Sequence, residues 1–337
     1  MTDILGNKII TLAHGSGGKD SADLMDEIFG KYFSNEILDK MEDGAVLTVK
    51  GSKIVTSTDS FVVSPLEFNG GDIGKLSVCG TTNDVLMMGA DPKYLTCGFI
   101  IEEGLEFSVL ERIVKSTAQA ADEAGVMIVA GDTKVINRTS DQAGLFINTT
   151  GIGILQGETE VSASNCKDGD AVIVSGNLGD HHACILSARM GIVNNIKSDC
   201  AYLGEIPKVL FNDGINVNVM RDITRGGLGT VLNEIAVSSG ISIELDENSI
   251  PVDDEVKGFC GIMGLDPLYM GNEGKMIITV PNSEAEKAVQ LIKETNVGQN
   301  AYIVGYAKGG SGVFSKTKIG GTRKIDMLYG EGLPRIC

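Results

Sequence analysis

The chain has 337 residues, 42% hydrophobic and 22% charged, which is material for two domains of ordinary size, each burying its own core. A formal net charge of −17 would repel nucleic acid and anionic lipid, and no apolar run approaches the roughly 18 to 20 residues that cross a bilayer, so neither nucleic acid nor a membrane is an expected partner. An anionic substrate such as a nucleotide would need divalent cations and backbone N–H groups to neutralise it, since 28 lysines and arginines face 45 acids, and this points to Mg²⁺.

The opening stretch, MTDILGNKIITLAHGSGGK, carries an acid at position 3 and lacks a basic start and a small-residue cleavage site. It reads as no secretory signal, and a cytoplasmic location is expected. Its HGSGGKDS run invites comparison with a P-loop, but that pattern needs Gly at position 13 and Ser or Thr at position 20, where Ala13 and Asp20 stand. It remains a candidate flap whose Lys19 and backbone touch phosphates. GAVLTV and KIVTST read as strands, the second running into Asp59. A helix is predicted from near Asp72 to the stop signals Gly89 and Pro92. On it Gly80, Asn83, Asp84 and Met87 share one face, and Asp84, inside an otherwise apolar helix, asks for a cation or several donors. After a helix near 108–124, VMIVAGDTKV reads as a strand delivering Asp132 at its carboxyl end, followed by Thr133 and Lys134.

LFINTTGIGIL is the next strand, and the polar, turn-rich run at 155–169 is the best domain boundary. Beyond it, DAVIVSG, ISIEL, KMIITV and AYIVGYA read as strands, with helices near 181–190, 228–239 and 283–295. INVNVMRDITRGGLGTVLNEIA repeats the strand-end acid at Asp222, and its Gly226 and Gly227 precede a helical stripe, so free N–H groups there suit an anion, with Arg225 adding charge. The strand-end acids Asp59, Asp132 and Asp222 would converge if they follow the habit of α/β ligand sites, and a Mg²⁺ ion bridging phosphates takes one or two carboxylates. Glu273, in MGNEGKMIITV, reads on the residues alone as a solvated turn acid. From about Lys316 periodicity is lost, and the rest looks like a mobile tail whose last 18 or so residues, fully stretched, would reach about 60 Å. Seven cysteines without a C-x-x-C pair, and three histidines, give neither a disulfide framework nor a zinc signature, so the six internal cysteines read as small core residues. Cys337, the last residue, is set apart from them.

Taken together, TTNDVLMMGADP, AGDTKV, DITRGGLGTVLNEIA, GNEGK and above all the final PRIC resemble the HypE family of hydrogenase maturation proteins. Its superfamily includes aminoimidazole ribonucleotide synthetase, thiamine-monophosphate kinase and selenophosphate synthetase. The acidic motifs mark the superfamily and PRIC marks HypE. A selenophosphate synthetase would carry a reactive Cys or selenocysteine in the glycine-rich segment, and residues 14–19 have none. The resemblance implies an α/β fold with mixed sheets in the two-domain aminoimidazole ribonucleotide synthetase-like arrangement: an ATP-binding and dimerisation domain at 1–155, a second α/β domain at 156–317, and a mobile tail at 318–337. It implies a carbamoyl dehydratase. A carbamoyltransferase, HypF, would load Cys337; ATP with Mg²⁺ would drive loss of water to give S-cyanocysteine, a thiocyanate; and a HypC–HypD complex would receive the cyanide for the iron of [NiFe] hydrogenase. Asp59, Asp84, Asp132 and Asp222 would then hold Mg²⁺, with Lys19, Asn83, Thr133, Arg225, Gly226 and Gly227 near the nucleotide. Glu273 becomes the base and Lys134 the cation that orients the carboxamide oxygen, or Lys134 shares the proton work. Two rival readings are a small-molecule ATP-dependent kinase or synthetase of the same superfamily and a non-catalytic scaffold.

Overall fold

The computed structural model describes residues 18–24, 26, 36, 38–49, 52–139, 144–155 and 161–328. Cys337, and with it the expected end of the tail, lies outside the described residues.

After a short helix, α1 (Lys19–Leu24), five strands make the first sheet: β1 (Ala45–Val49), β2 (Ser52–Phe61), β5 (Ala90–Glu102), β6 (Met127–Ile136) and β7 (Leu145–Leu155), in the order β1-β2-β7-β5-β6. A two-stranded hairpin, β3 (Glu67–Phe68) with β4 (Gly71–Asp72), leads into the helix α2 (Ile73–Met87). Asp72 starts that helix by accepting the N–H groups of Gly74 and Lys75 at 2.7 and 3.0 Å, so the predicted start is satisfied by its own side chain. Neighbours in this sheet are antiparallel except β5 and β6, which run parallel and are joined across the sheet by α3 (Phe107–Ala124). β7 alternates, sending Leu145 and Ile147 into a core with Ile73, Leu76 and Ile113 of the two helices. The far face and the β6 edge keep apolar side chains in solvent, among them Tyr94, Met127, Ile128, Val129 and Val135.

The second sheet has the order β14-β13-β10-β12-β8-β11-β9, from β8 (Asp170–Val174), β9 (Val219–Asp222), β10 (Ser242–Asp246), β11 (Met276–Pro281), β12 (Tyr302–Lys308), β13 (Gly312–Lys316) and β14 (Thr322–Ile325). Five helices accompany it: α4 (Asp180–Met190), α5 (Glu205–Asn212), α6 (Gly227–Ser239), α7 (Asp254–Met263) and α8 (Ala285–Lys293). β8 is apolar from Ala171 onward because both its faces are covered: Val172 and Val174 pack with Leu228, Leu232 and Ile235 of α6, while Ala171 and Ile173 pack with residues of α5 and α8. Leu86 and Met87, at the end of α2, join that second core, so one helix serves both sheets. The six internal cysteines are buried and free, as expected.

The first part of the expected tail is docked on the second sheet. Residues 318–328 do not stand apart: β14 pairs antiparallel with β13, Ile325 is buried in the α6 core, and Asn233 Nδ2 donates to Ile325 O at 3.0 Å. Tyr269 Oη donates to Asp326 O at 2.9 Å, and Lys19 N donates to Leu328 O at 3.0 Å. A four-residue edge strand is too short to leave a period in the sequence, and one buried isoleucine with three polar anchors is enough to hold it.

Candidate active site

The groove begins with α2. Its buried face is forced by the sheet beneath it, and that packing carries Asp84 to the boundary between the two sheets, where Ser57 Oγ of β2 donates to Asp84 Oδ2 at 2.6 Å. Asp59, farther along β2, faces the same space. From the other side come Asp222 at the end of β9, the Thr224 and Arg225 that follow it, and Glu273. Glu273 and Asp222 are neighbours because β9 and β11 pair, and the ladder continues past the strand ends through Ile223 N to Lys275 O at 3.0 Å. Asn272 locks the turn before Glu273: its Nδ2 donates to Ile223 O and Met270 O, and its Oδ1 accepts Gly179 N. Together these residues enclose a cavity of about 260 Å³.

Three charged lining residues, Asp43, Arg221 and Glu234, escaped the sequence reading. Arg221 Nε lies 2.6 Å from Asp43 Oδ2 and its Nη2 lies 3.0 Å from Glu234 Oε2, a half-sheltered ion network at the wall of the groove. Asp43 stands 178 positions from Arg221, a pairing with no local signature; the strand-end acid at Asp222 was the nearest clue.

The groove is electrostatically short of positive charge. Burial raises Asp84 well above the ordinary carboxylate range, and the charges of Asp59, Asp222 and Asp43 raise it further against the opposing Ser57 hydrogen bond. Burial likewise lifts Asp222 to about 6, with Arg221 opposing. Glu273, 5% exposed, is raised well above its usual value by burial first and then by Asp222 and Asp199, with Arg225 partly offsetting. An all-oxygen, mutually repelling donor set fits Mg²⁺, which would relieve the repulsion. Among the described residues no three such side chains are close enough to hold a cation by themselves, so nucleotide phosphates and water would complete its shell.

Asp59, Asp84, Asp222, Arg225 and Glu273 are therefore brought together. Other predicted residues lie elsewhere. Asp132 is not at a strand end, since β6 continues to Ile136; Asp132, Thr133 and Lys134 are exposed on that strand, with Lys134 Nζ donating to Asp132 Oδ2 at 2.6 Å. Asn83 spends its amide on the backbone, Nδ2 to Ala201 O at 3.0 Å and Oδ1 from Leu203 N at 2.9 Å, and is buried. Gly226 and Gly227 have φ of +81° and +63°, and a Cβ on Gly227 would fall 2.5 Å from Leu268 O, so close packing as much as an anion cradle explains the pair. Lys19 stands on α1 beside Leu328. A larger cavity, about 1120 Å³, lies around Tyr202, Lys208 and Phe211 and contains none of the predicted residues.

Two halves of the AIR synthase related protein family match the chain, the N-terminal domain over residues 41–155 and the C-terminal domain over 167–318. The carbamoyl dehydratase HypE of Rhodobacter capsulatus is 44% identical over 342 aligned positions, covering 99% of each chain. The chain belongs to the HypE family of carbamoyl dehydratases. Among solved structures, a HypE in complex with ATP superimposes with a TM-score of 0.81 at 44% identity, covering 98% of this chain and 100% of that one. The structure of a HypE–HypF complex gives a TM-score of 0.86 at 45% identity, covering 90% and 99%. Both agree with the expected two-domain fold of mixed α/β sheets. No described helix is long and apolar enough to cross a membrane.

Proposed function

We propose that this HypE-family chain removes water from an S-carbamoyl group on its own Cys337 at the expense of ATP. The observation that carries the reading is Glu273, a buried carboxylate of raised proton affinity in the same groove as Asp84 and Asp222. The carbamoyl oxygen is a poor leaving group; attack of that oxygen on the γ-phosphorus transfers the phosphoryl group and releases ADP. Loss of two N–H protons and departure of phosphate then break the C–O bond and form C≡N, leaving S-cyanocysteine. The proton steps need a base, and Glu273 suits them because burial disfavours its charge and so raises its proton affinity. Asp84 and Asp222, with Asp59 or Asp43, would hold Mg²⁺, which supplies charge neutralisation for phosphoryl transfer. Arg225 is well placed to steady a phosphate.

Lys134 and Asp132 enter through a homodimer. β6 is an unprotected edge of ten residues with Met127, Val129 and Val135 in solvent, a surface that a second copy would cover. Pairing there brings residues 132–134 of one copy toward the groove of the other. The division at 1–155, 156–317 and 318–337 belongs to the same reading, with the docked stretch before Leu328 as the root of the carrier segment. HypF as loader is supported by the HypE–HypF complex of a relative; HypC–HypD as acceptor of the cyanide is what the family resemblance implies, and a supply of ATP fits the cytoplasm.

The test is mass spectrometry of the C-terminal peptide after incubation with HypF, carbamoyl phosphate and ATP. The expected result is a carbamoyl adduct on Cys337 that then loses one water, and neither species with Cys337→Ser. A peptide left unmodified under competent conditions would overturn the reading, and turnover of a free small-molecule substrate that survives deletion of Cys337 would favour a small-molecule kinase.

A further inference from the structure

One segment, residues 199–203, holds both walls of the groove without lining it. At one end it grips the turn that presents Glu273. Asp199 Oδ1 accepts Glu273 N–H at 3.1 Å, Lys275 Nζ stands 3.2 Å from Asp199 Oδ2, and these two side chains are 2% and 12% exposed. Gly274 lies so close that a Cβ would fall 1.9 Å from Asp199 O, which leaves room for no side chain between Glu273 and Lys275. Its other end is held by Asn83 of α2, through Ala201 O and Leu203 N. The base and the helix bearing Asp84 are thus registered through five residues that touch neither directly with a reacting atom.

Stability alone is a weak reason for such an arrangement. Burying an ion pair costs several kcal/mol of desolvation that the mutual attraction seldom repays in full. Here the balance is worse than usual, because the Lys275–Asp199 contact does not meet hydrogen-bond geometry and Asp199 Oδ2 is left without a hydrogen bond. What the pair does supply is position: it fixes the backbone on either side of Gly274, and so the root of the Glu273 side chain. Reacting groups displaced by about 1 Å commonly lose about a hundredfold in rate.

We propose that Asp199, held by Lys275, is a positioning residue that sets Glu273 against the Asp84 end of the groove. The inference rests on the reading of Glu273 as the proton acceptor. Its test uses the full chain, carbamoylated at Cys337 by HypF and mixed with ATP, with single-turnover loss of water followed by mass spectrometry and ATP affinity measured separately. D199E keeps the charge pair but lengthens the arm; the double variant D199N/K275M removes both charges while leaving an oxygen to accept Glu273 N–H. Both are expected to lose at least about tenfold in single-turnover rate with ATP affinity unchanged within about twofold, the split expected of misplaced chemistry. Either folded variant dehydrating at the unsubstituted rate overturns the proposal, as does a loss of ATP affinity in proportion to the loss of rate. E273Q separates the two claims: if it is fully active, the base reading fails; if it is inactive while D199E is fully active, only the positioning role fails.

Discussion

Asp84, Asp222, Asp43 and Glu273 share a groove in which burial disfavours each charge; neighbouring carboxylates add to that at Asp84 and Glu273, while Arg221 opposes it at Asp222 and Asp43. Residues arranged for a cation and a nucleotide are a source of instability when both are absent. Asp84→Asn keeps an oxygen for the Ser57 hydroxyl and removes one of the repelling charges, so a higher melting temperature at pH 7.5 is expected without Mg²⁺ or ATP, read by scanning fluorimetry. Dehydration by the same variant is expected to fall at least about a hundredfold, the upper end of what loss of a partner one shell farther out costs a metal site. The pH dependence follows from Asp222, raised to about 6. The folded protein then holds a proton that the unfolded chain gives up, so this contribution to stability is complete below the ordinary carboxylate value of 3.8 and is lost as the pH rises through about 6. Melting temperature should therefore fall between about pH 4 and pH 6 and level off above that, and saturating Mg²⁺–nucleotide should flatten the fall; the check is a melting series across the range. At this scale the sequence was informative where chemistry is local and silent where it is not. Asp84 announced itself as an acid inside an apolar helix. Asn83 looked like its companion at the nucleotide but is consumed by the backbone of residues 201 and 203, a contact 118 and 120 positions away. Glu273 read as a solvated turn acid because nothing in GNEGK reports that Asp199 and the β9–β11 ladder enclose it.

Among the elements, β6 has the clearest unmet requirement. Its ten residues are exposed along their whole length, and apolar side chains emerge on both sides of an edge that natural sheets ordinarily shield. Val135→Lys places a charge at a residue 68% exposed in the isolated chain, where it costs little to a monomer and much to a covered edge. Sedimentation velocity is expected to show a dimer for the unsubstituted chain and a monomer for the variant, and the monomer should lose dehydration because it lacks the Lys134 and Asp132 of a second copy. Element recognition from sequence tracked length and purity of pattern. Strand β7 and helix α2 fell where alternation and capping put them. Strand β5 was hidden because Pro92, taken as a stop after the helix, sits inside it beside a bulge between Pro92 and Tyr94. Helices α5 and α7 were passed over for similar reasons: Pro207 occupies the first turn of one, where proline is tolerated, and Gly258 and Gly261 thin the pattern of the other.

Across the whole molecule, two cores share the end of α2, and the acidic groove lies where β2 and α2 of the first sheet meet β9 of the second. On the proposed reading Cys337 is the carrier, and Leu328, the last described residue before it, is fastened to Lys19. From there about nine residues lead to Cys337, a reach of at most about 30 Å, half of what the sequence suggested when the tail was taken to begin near Lys316. A tether of that length presents its cargo at an effective concentration in the millimolar range. Two consequences can be measured. The rate of water loss from the loaded chain should not change on dilution of the protein, since substrate and site travel together. A chain ending at Ile336 should act on a separate S-carbamoylated peptide of the last nine residues, with half-saturation near the effective concentration it replaces, about a millimolar. Saturation at micromolar peptide would instead mean that the final residues bind the groove by their own contacts, and the tether would then serve loading by HypF more than delivery to ATP.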